Sequence, residues 1–114
     1  MKKLYAESII GNTIMRAKPN PDEYDSVWEL TEISPNRYEI TVWNGAHKRI
    51  LANPSFIEGA DKQIMGKVSV EVAEPGTAEM NADGKLVVTK KPKINLWDRE
   101  ITKTGNIPGN QFER

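Results

Sequence analysis

Residue types that could carry acid–base, metal or thiol chemistry are scarce in this sequence. His47 is the single histidine, and the absence of cysteine removes disulfides, thiol catalysis and thiolate metal sites. Glu29 and Glu39 are expected near each other on the outer face of one sheet, where two carboxylates could form an acid–base pair. Arg37 and Arg49 would neutralise them, so a water-facing polar surface is the better interpretation. No GxSxG, HExxH or phosphate-binding glycine motif occurs. We therefore expect no enzymatic activity, no metal and no cofactor.

An aromatic side chain with basic neighbours is the second pattern with chemical meaning. Trp43 is expected at a hairpin tip, largely exposed, and basic residues follow it closely. Single-stranded nucleic acids bind such surfaces by stacking bases on aromatic rings while cations contact phosphates. With 16 basic and 16 acidic residues the net charge is zero, so bulk electrostatics favours neither nucleic acid nor anionic membrane. The candidate binding residues are Trp43, His47, Lys48, Arg49, Arg37 and Trp97.

The stretch that must position these residues runs from position 27 to 51. Runs rich in Val, Ile, Thr, Tyr and Trp, separated by turns at 34–36 and 44–45, predict three antiparallel strands. The second turn contains Asn-Gly, the strongest short-range hairpin signal in the chain. It is expected to pair residues 38–42 with residues 46–50.

The register of this predicted meander follows from its apolar residues. An odd-length first turn places Trp28 opposite Val42 and Leu30 opposite Ile40, whereas a slip of one residue would exchange the two faces. The first register should therefore form. The expected buried face comprises Trp28, Leu30, Tyr38, Ile40, Val42, Ala46 and Ile50.

A short helix is predicted over about residues 54–65, after the meander. Asn53 is a capping residue, Pro54 suits the first helical position, and Gly66 is placed for the C-terminal cap. Pro75-Gly76 predicts a turn, and Pro92 makes the last strand an edge strand or a continuation after a kink. The remaining strands are expected near 4–10, 13–16, 67–73, 77–80, 85–90 and 94–97.

The order of these elements predicts a mainly β fold, either a small antiparallel sheet or a partly open barrel. It resembles the OB type, in which a helix after the third strand closes one end of a five-stranded barrel. A two-layer α+β sheet fits the same pattern. Residues 1–97 are expected to form one small β-rich domain, and residues 98–114 a polar C-terminal tail that could act as an interaction arm.

No apolar run approaches the roughly 20 residues of a membrane span, and we expect a cytoplasmic bacterial protein. We expect a non-catalytic binding or assembly module that acts through protein–protein contacts or self-association, with the tail adding a strand to a neighbouring sheet edge. Trp43, Trp97 and Phe112, with Val27, Ile33 and Leu51 on the outer face, would be its contacts. The alternative is an OB-like protein that binds single-stranded nucleic acid.

Overall fold

The computed structural model describes residues 2–100, which form a mainly β fold, as predicted. In this part of the chain, two short 3-10 turns, Asn44–Ala46 and Pro54–Ile57, flank the one α-helix, α1 (His47–Ala52). Among residues 2–100, no helix is long and apolar enough to cross a membrane. The strands are β1 (Lys3–Ala6), β2 (Ser8–Ile10), β3 (Thr13–Met15), β4 (Trp28–Ser34), β5 (Arg37–Val42), β6 (Asp61–Ile64), β7 (Ser69–Glu74), β8 (Gly76–Met80), β9 (Leu86–Lys90) and β10 (Lys93–Trp97).

Seven strands form one curled antiparallel sheet in the order β1-β4-β5-β8-β9-β3-β2. Its two edge strands, β1 and β2, are separated by Glu7 alone. Because consecutive Cα atoms lie about 3.8 Å apart, the two edges must meet at this residue. Tyr5 and Lys18 exchange two backbone hydrogen bonds of 2.7 and 2.9 Å across the junction. The sheet therefore curls as expected for a partly open, OB-like barrel.

The β4–β5 hairpin has the predicted register. Trp28 lies opposite Val42 and Leu30 opposite Ile40. Asn36 takes a left-handed φ of 65° in the connecting turn, a conformation that asparagine tolerates. All seven side chains of the expected buried face are buried.

The predicted second hairpin of the meander is wrong. Residues 44–52 form the first 3-10 turn and α1, and β5 pairs with β8 instead, with Tyr38 opposite Ala78. Ala46 and Ile50 are four residues apart, a spacing that puts two side chains on one face of a strand and also on one face of a helix. The burial prediction was therefore correct for both residues although the secondary structure was not.

The predicted helix over residues 54–65 is also wrong, although the chain does turn at Asn53-Pro54. The Asn53 side chain accepts a hydrogen bond of 3.2 Å from the Ser55 N–H, but only residues 54–57 are helical, as a 3-10 turn. Gly59 has a left-handed φ of 98°, and a Cβ there would lie 2.9 Å from the Ile9 Cβ. The helical path ends at Glu58, whose ψ of 141° is extended, and the left-handed Gly59 follows it. Residues 61–64 then form β6.

A long bent hairpin joins the curled sheet to a second sheet. One arm of this hairpin is β7 and β8, which are joined by Pro75 alone; the other is β9 and β10, which are joined by residues 91–92. Both arms therefore pass from one sheet to the other at neighbouring positions. Pro75-Gly76 is thus a kink rather than the predicted turn. The second sheet has the order β6-β10-β7, with β6 parallel to β10. β10 continues after the Pro92 kink, as one prediction had it, but it lies in the centre of its sheet.

Replacement of Gly76 by Ala tests this kink. A Cβ at Gly76 would lie 2.6 Å from both the Lys90 carbonyl oxygen and the Pro92 nitrogen, and these backbone atoms cannot rotate away. We expect Gly76→Ala to lower the free energy of unfolding by about 1–3 kcal/mol, the usual range for overpacking. Urea unfolding measures this change. Gly11→Asn is the control, because open space surrounds Gly11 at φ 62°; an equal loss in both variants would contradict the steric explanation.

Candidate functional site

The structure places Trp43 against the barrel rather than at an exposed hairpin tip. Its side chain is half-buried and packs on the core. Its ring meets that of Tyr5 edge-on, with centroids 6.3 Å apart and an interplanar angle of 71°. Gly45 lies directly beneath the indole, since a Cβ there would come within 2.4 Å of a ring carbon. The prediction that Trp43 is largely exposed is therefore wrong.

Arg49 binds backbone carbonyls of its own chain. One terminal nitrogen donates a hydrogen bond of 2.9 Å to the Tyr24 carbonyl, and the other donates to the Ser26 carbonyl. The guanidinium also lies 5.7 Å from the centre of the Phe56 ring. Arg49 thus connects α1 to the acidic loop that precedes β4. A cation committed to these contacts is not available to a phosphate.

His47 and Lys48 differ in exposure although they are neighbours in α1. Lys48 is exposed, whereas His47 is half-buried. Loss of hydration on burial lowers the pKa of His47, because the charged imidazolium is the better hydrated form. Of the four candidates between positions 43 and 49, only Lys48 is thus exposed.

The other two candidates lie on different elements. Arg37, at the start of β5, forms an ion pair of 3.5 Å with Glu79 on β8. Trp97 ends β10, and its indole N–H donates a hydrogen bond of 2.9 Å to the Glu71 carboxylate. The Arg99 guanidinium lies 4.6 Å from the centre of the Trp97 ring. Among the contacts of residues 2–100, none links Arg37 or Trp97 to Trp43.

Carboxylates also pair with cations that the nucleic-acid interpretation would use. Lys90 forms an ion pair of 3.1 Å with Glu74. The hydrogen bond and charge of Lys90, followed by the charge of Lys93, lower the pKa of Glu74. Glu74 therefore neutralises part of the positive charge on this side of the second sheet.

The predicted pair of carboxylates, Glu29 and Glu39, also has a cation beside it. Glu39 lies opposite Thr31 on β4, and Glu29 forms an ion pair of 3.1 Å with Lys3 on β1. The hydrogen bond and charge of Glu29 raise the pKa of Lys3. Within residues 2–100 no group of three or more His, Cys, Asp or Glu is placed to hold a metal ion.

Of the three residues expected on the outer face, one is exposed. Ile33 is 52% exposed, whereas Val27 is buried and Leu51 packs against the core. Val27 lies one residue before β4, and its N–H donates to the Ala6 carbonyl. The alternation of inward and outward side chains along β4 therefore does not determine the burial of Val27. Phe112 lies outside the described residues.

Sequence reasoning missed an apolar surface at the end of β10. We call Ile64, Met65 and Val68 the apolar tip; their side chains are 52%, 40% and 48% exposed. The Met65 N–H donates to the Leu96 carbonyl and the Val68 N–H to the Trp97 carbonyl, both at 2.8 Å, which brings the three residues around one strand end. Val68 lies within the strand expected near 67–73, but β7 begins only at Ser69.

The edge strand β6 lies beside the apolar tip. All four of its residues are exposed. The N–H groups of Asp61 and Met65 donate to the Pro92 and Leu96 carbonyls. Because alternate residues of a strand direct their backbone groups to the same side, those of Lys62 and Ile64 point away from β10. Within residues 2–100 no strand pairs with this outer side of β6.

Replacement of Arg49 by Met tests the link between α1 and the acidic loop. The change leaves two carbonyls without their charged donor, and we expect the free energy of unfolding to fall by about 2 kcal/mol. Urea unfolding measures the loss. Lys48→Met is the matched control, since Lys48 is exposed on the same helix. Equal stability of the two variants would contradict the structural role of Arg49.

The lowered pKa of His47 predicts a pH dependence of stability. The folded chain binds the imidazole proton more weakly than the unfolded chain, so acidification favours unfolding. The contribution is complete above the ordinary pKa of 6.5 and is lost as the pH falls through the lower folded-state pKa. For one proton the slope cannot exceed about 1.4 kcal/mol per pH unit.

Urea unfolding between pH 5 and 7.5 measures this slope, and His47→Gln should remove it near pH 6. The chain has no second histidine to obscure the result. An unchanged slope in the variant would show that His47 is not its source.

Comparison with protein-family models, with curated proteins and with solved structures finds no match to this chain.

Proposed function

We propose that this protein is a non-catalytic assembly module that acts through protein–protein contacts, and that its partner is a second copy of the same chain bound along β6. The observation that carries the proposal is the outer edge of β6, unpaired within the described part of the chain, beside the exposed apolar tip. An edge of this kind is a template for strand addition. Two copies related by a two-fold axis would use the same edge, which makes the interface self-complementary.

The backbone of β6 supplies the hydrogen bonds for this pairing. Lys62 and Ile64 direct their N–H and C=O groups outward, so antiparallel pairing of two β6 strands would satisfy groups that otherwise depend on water. The two three-stranded sheets would then form one six-stranded sheet across the interface.

The side chains of β6 permit such a contact. Antiparallel pairing centred on Gln63 places the outward-facing Lys62 opposite Ile64 of the second copy and Asp61 opposite Met65, so no like charges face each other. β6 carries one acid and one base, and its net charge is zero. The apolar tip of each copy would lie at the margin of the interface and lose water on association.

Binding of single-stranded nucleic acid remains the alternative from the sequence. The ion pairs of Arg37 and Lys90 and the carbonyl contacts of Arg49 reduce the cations that could contact phosphates. The assembly proposal is favoured for this reason. A role in assembly for the tail, residues 98–114, is still a prediction, because residues 101–114 lie outside the described residues. A cytoplasmic, bacterial origin is likewise proposed, and the absence of cysteine is compatible with a reducing compartment.

Light scattering on the full chain over a concentration series tests the proposal, and Lys62→Pro is the decisive variant. Proline removes the outward N–H of Lys62, but it leaves the hydrogen bonds from β6 to β10 intact. We expect a wild-type dimer whose dissociation constant rises about thirtyfold in the variant, for the loss of two hydrogen bonds of about 1 kcal/mol each.

Lys62→Ala, which keeps the backbone N–H, is the matched control and should dimerise as the wild type does. Ile64→Ser should weaken the dimer, whereas Ile33→Ser, at an equally exposed site outside β6, should not. A wild-type monomer at every concentration, or a Lys62→Pro variant that dimerises normally, would overturn the proposal.

A further inference from the structure

A cleft of about 450 Å³ lies in the wall of the curled sheet, away from β6. Residues of β1, β3 and the β8–β9 turn line it. We propose that this cleft binds a free amphiphile, a medium-length acyl chain with one anionic head group. Its volume falls within the range of about 300–1,000 Å³ that is usual for small-molecule sites.

The floor of the cleft is apolar and suits an acyl chain. Ile14 and Leu86 are buried, and Leu4, Ala17 and Met80 are half-buried and pack against the core. These five side chains come from four strands or their extensions, so the floor depends on closure of the sheet. An unbranched hydrocarbon would cover their accessible surface without leaving a polar group unpaired.

The backbone at Arg16 makes this floor possible. Ile14 and Ala17 are three residues apart, which in a regular strand would place their side chains on opposite faces. Arg16 takes a left-handed φ of 59°, and this irregular residue lets both side chains face inward. A left-handed arginine is uncommon, and its guanidinium stays on the solvent side, where its side chain is 77% exposed.

Two cations at the rim determine the expected sign of the head group. Arg16 and Lys85 both line the cleft, and Lys85 has no ion pair within the described part of the chain. Glu7 is the opposing charge, with its carboxylate 4.0 Å from the Arg16 Nε. Both side chains of this pair are exposed, so the pair is weak and an anionic head group could displace it.

A titration followed by amide NMR on the full chain tests the proposal, with octanoate as the probe. We expect saturable shifts at the amides of Ile14 and Leu86. Octan-1-ol should bind about tenfold more weakly, because it lacks the charge, and octylammonium more weakly still. The double variant Arg16→Asn/Lys85→Gln should weaken octanoate about tenfold and leave octan-1-ol unchanged. Asparagine at position 16 keeps the left-handed backbone accessible.

Glu7→Gln is the complementary variant, and it should strengthen octanoate binding about threefold by removing the competing carboxylate. Lys85→Gln alone should give an intermediate loss, and the spectrum of each variant reports directly whether it folds. Lys62→Pro should bind octanoate as the wild type does, because Lys62 does not line the cleft. The cleft proposal and the assembly proposal can therefore be contradicted independently.

Absence of saturable shifts at millimolar octanoate, or equal affinity for octylammonium, would overturn the proposal. Vesicles of phosphatidylglycerol distinguish a lipid surface from a free ligand. If the chain sediments with these vesicles but does not bind octanoate, the cleft is not a site for the free amphiphile.

Discussion

The contact between Gly76 and the backbone of Lys90 and Pro92 is the constraint on which the rest of the structure depends. Here both arms of the hairpin spanning positions 69–97 leave the curled sheet and enter the second sheet. At this point the backbones of the two arms approach too closely for a Cβ, and glycine is the residue that permits such an approach. In the second sheet β10 pairs with β7 on one side and with β6 on the other, which leaves β6 at the edge. The proposed assembly surface therefore lies on the sheet that this hairpin joins to the curled sheet.

The junction of β1 and β2 at Glu7 is the second constraint, and it concerns the part of the curled sheet that carries the proposed cleft. β1 and β2 form opposite edges of the same sheet, and they meet at this residue. Arg16, the residue after β3, has a left-handed φ, and Ile14 and Ala17 on either side of it both contact the core. The proposed cleft lies beside this irregularity, so its apolar floor and its cationic rim have a common origin.

The residues that the sequence singled out for binding are mostly used to hold the fold together. Trp43 covers Gly45 and meets Tyr5, and Arg49 binds two carbonyls of the preceding loop. Aromatic and arginine side chains suit interfaces because they offer large area and several donors, and the same properties suit contacts within a chain. Composition and spacing cannot separate these two uses. The exposed residues of the apolar tip, by contrast, occur in a stretch whose local pattern was interpreted as part of a helix and a buried strand.

By itself, the sequence determined the mainly β character, the register of the β4–β5 hairpin and the buried face from Trp28 to Ile50. These properties depend on local alternation and on which side chains avoid water, and both can be read from neighbouring residues. Only the tertiary structure decided that residues 44–52 are helical, that β5 pairs with β8, and that β6 forms an edge. The spacing of Ala46 and Ile50 satisfies a strand and a helix equally, so the local pattern has two solutions. Pairing with β8 comes from residues more than thirty positions away, and it leaves residues 46–50 without a strand partner on that side.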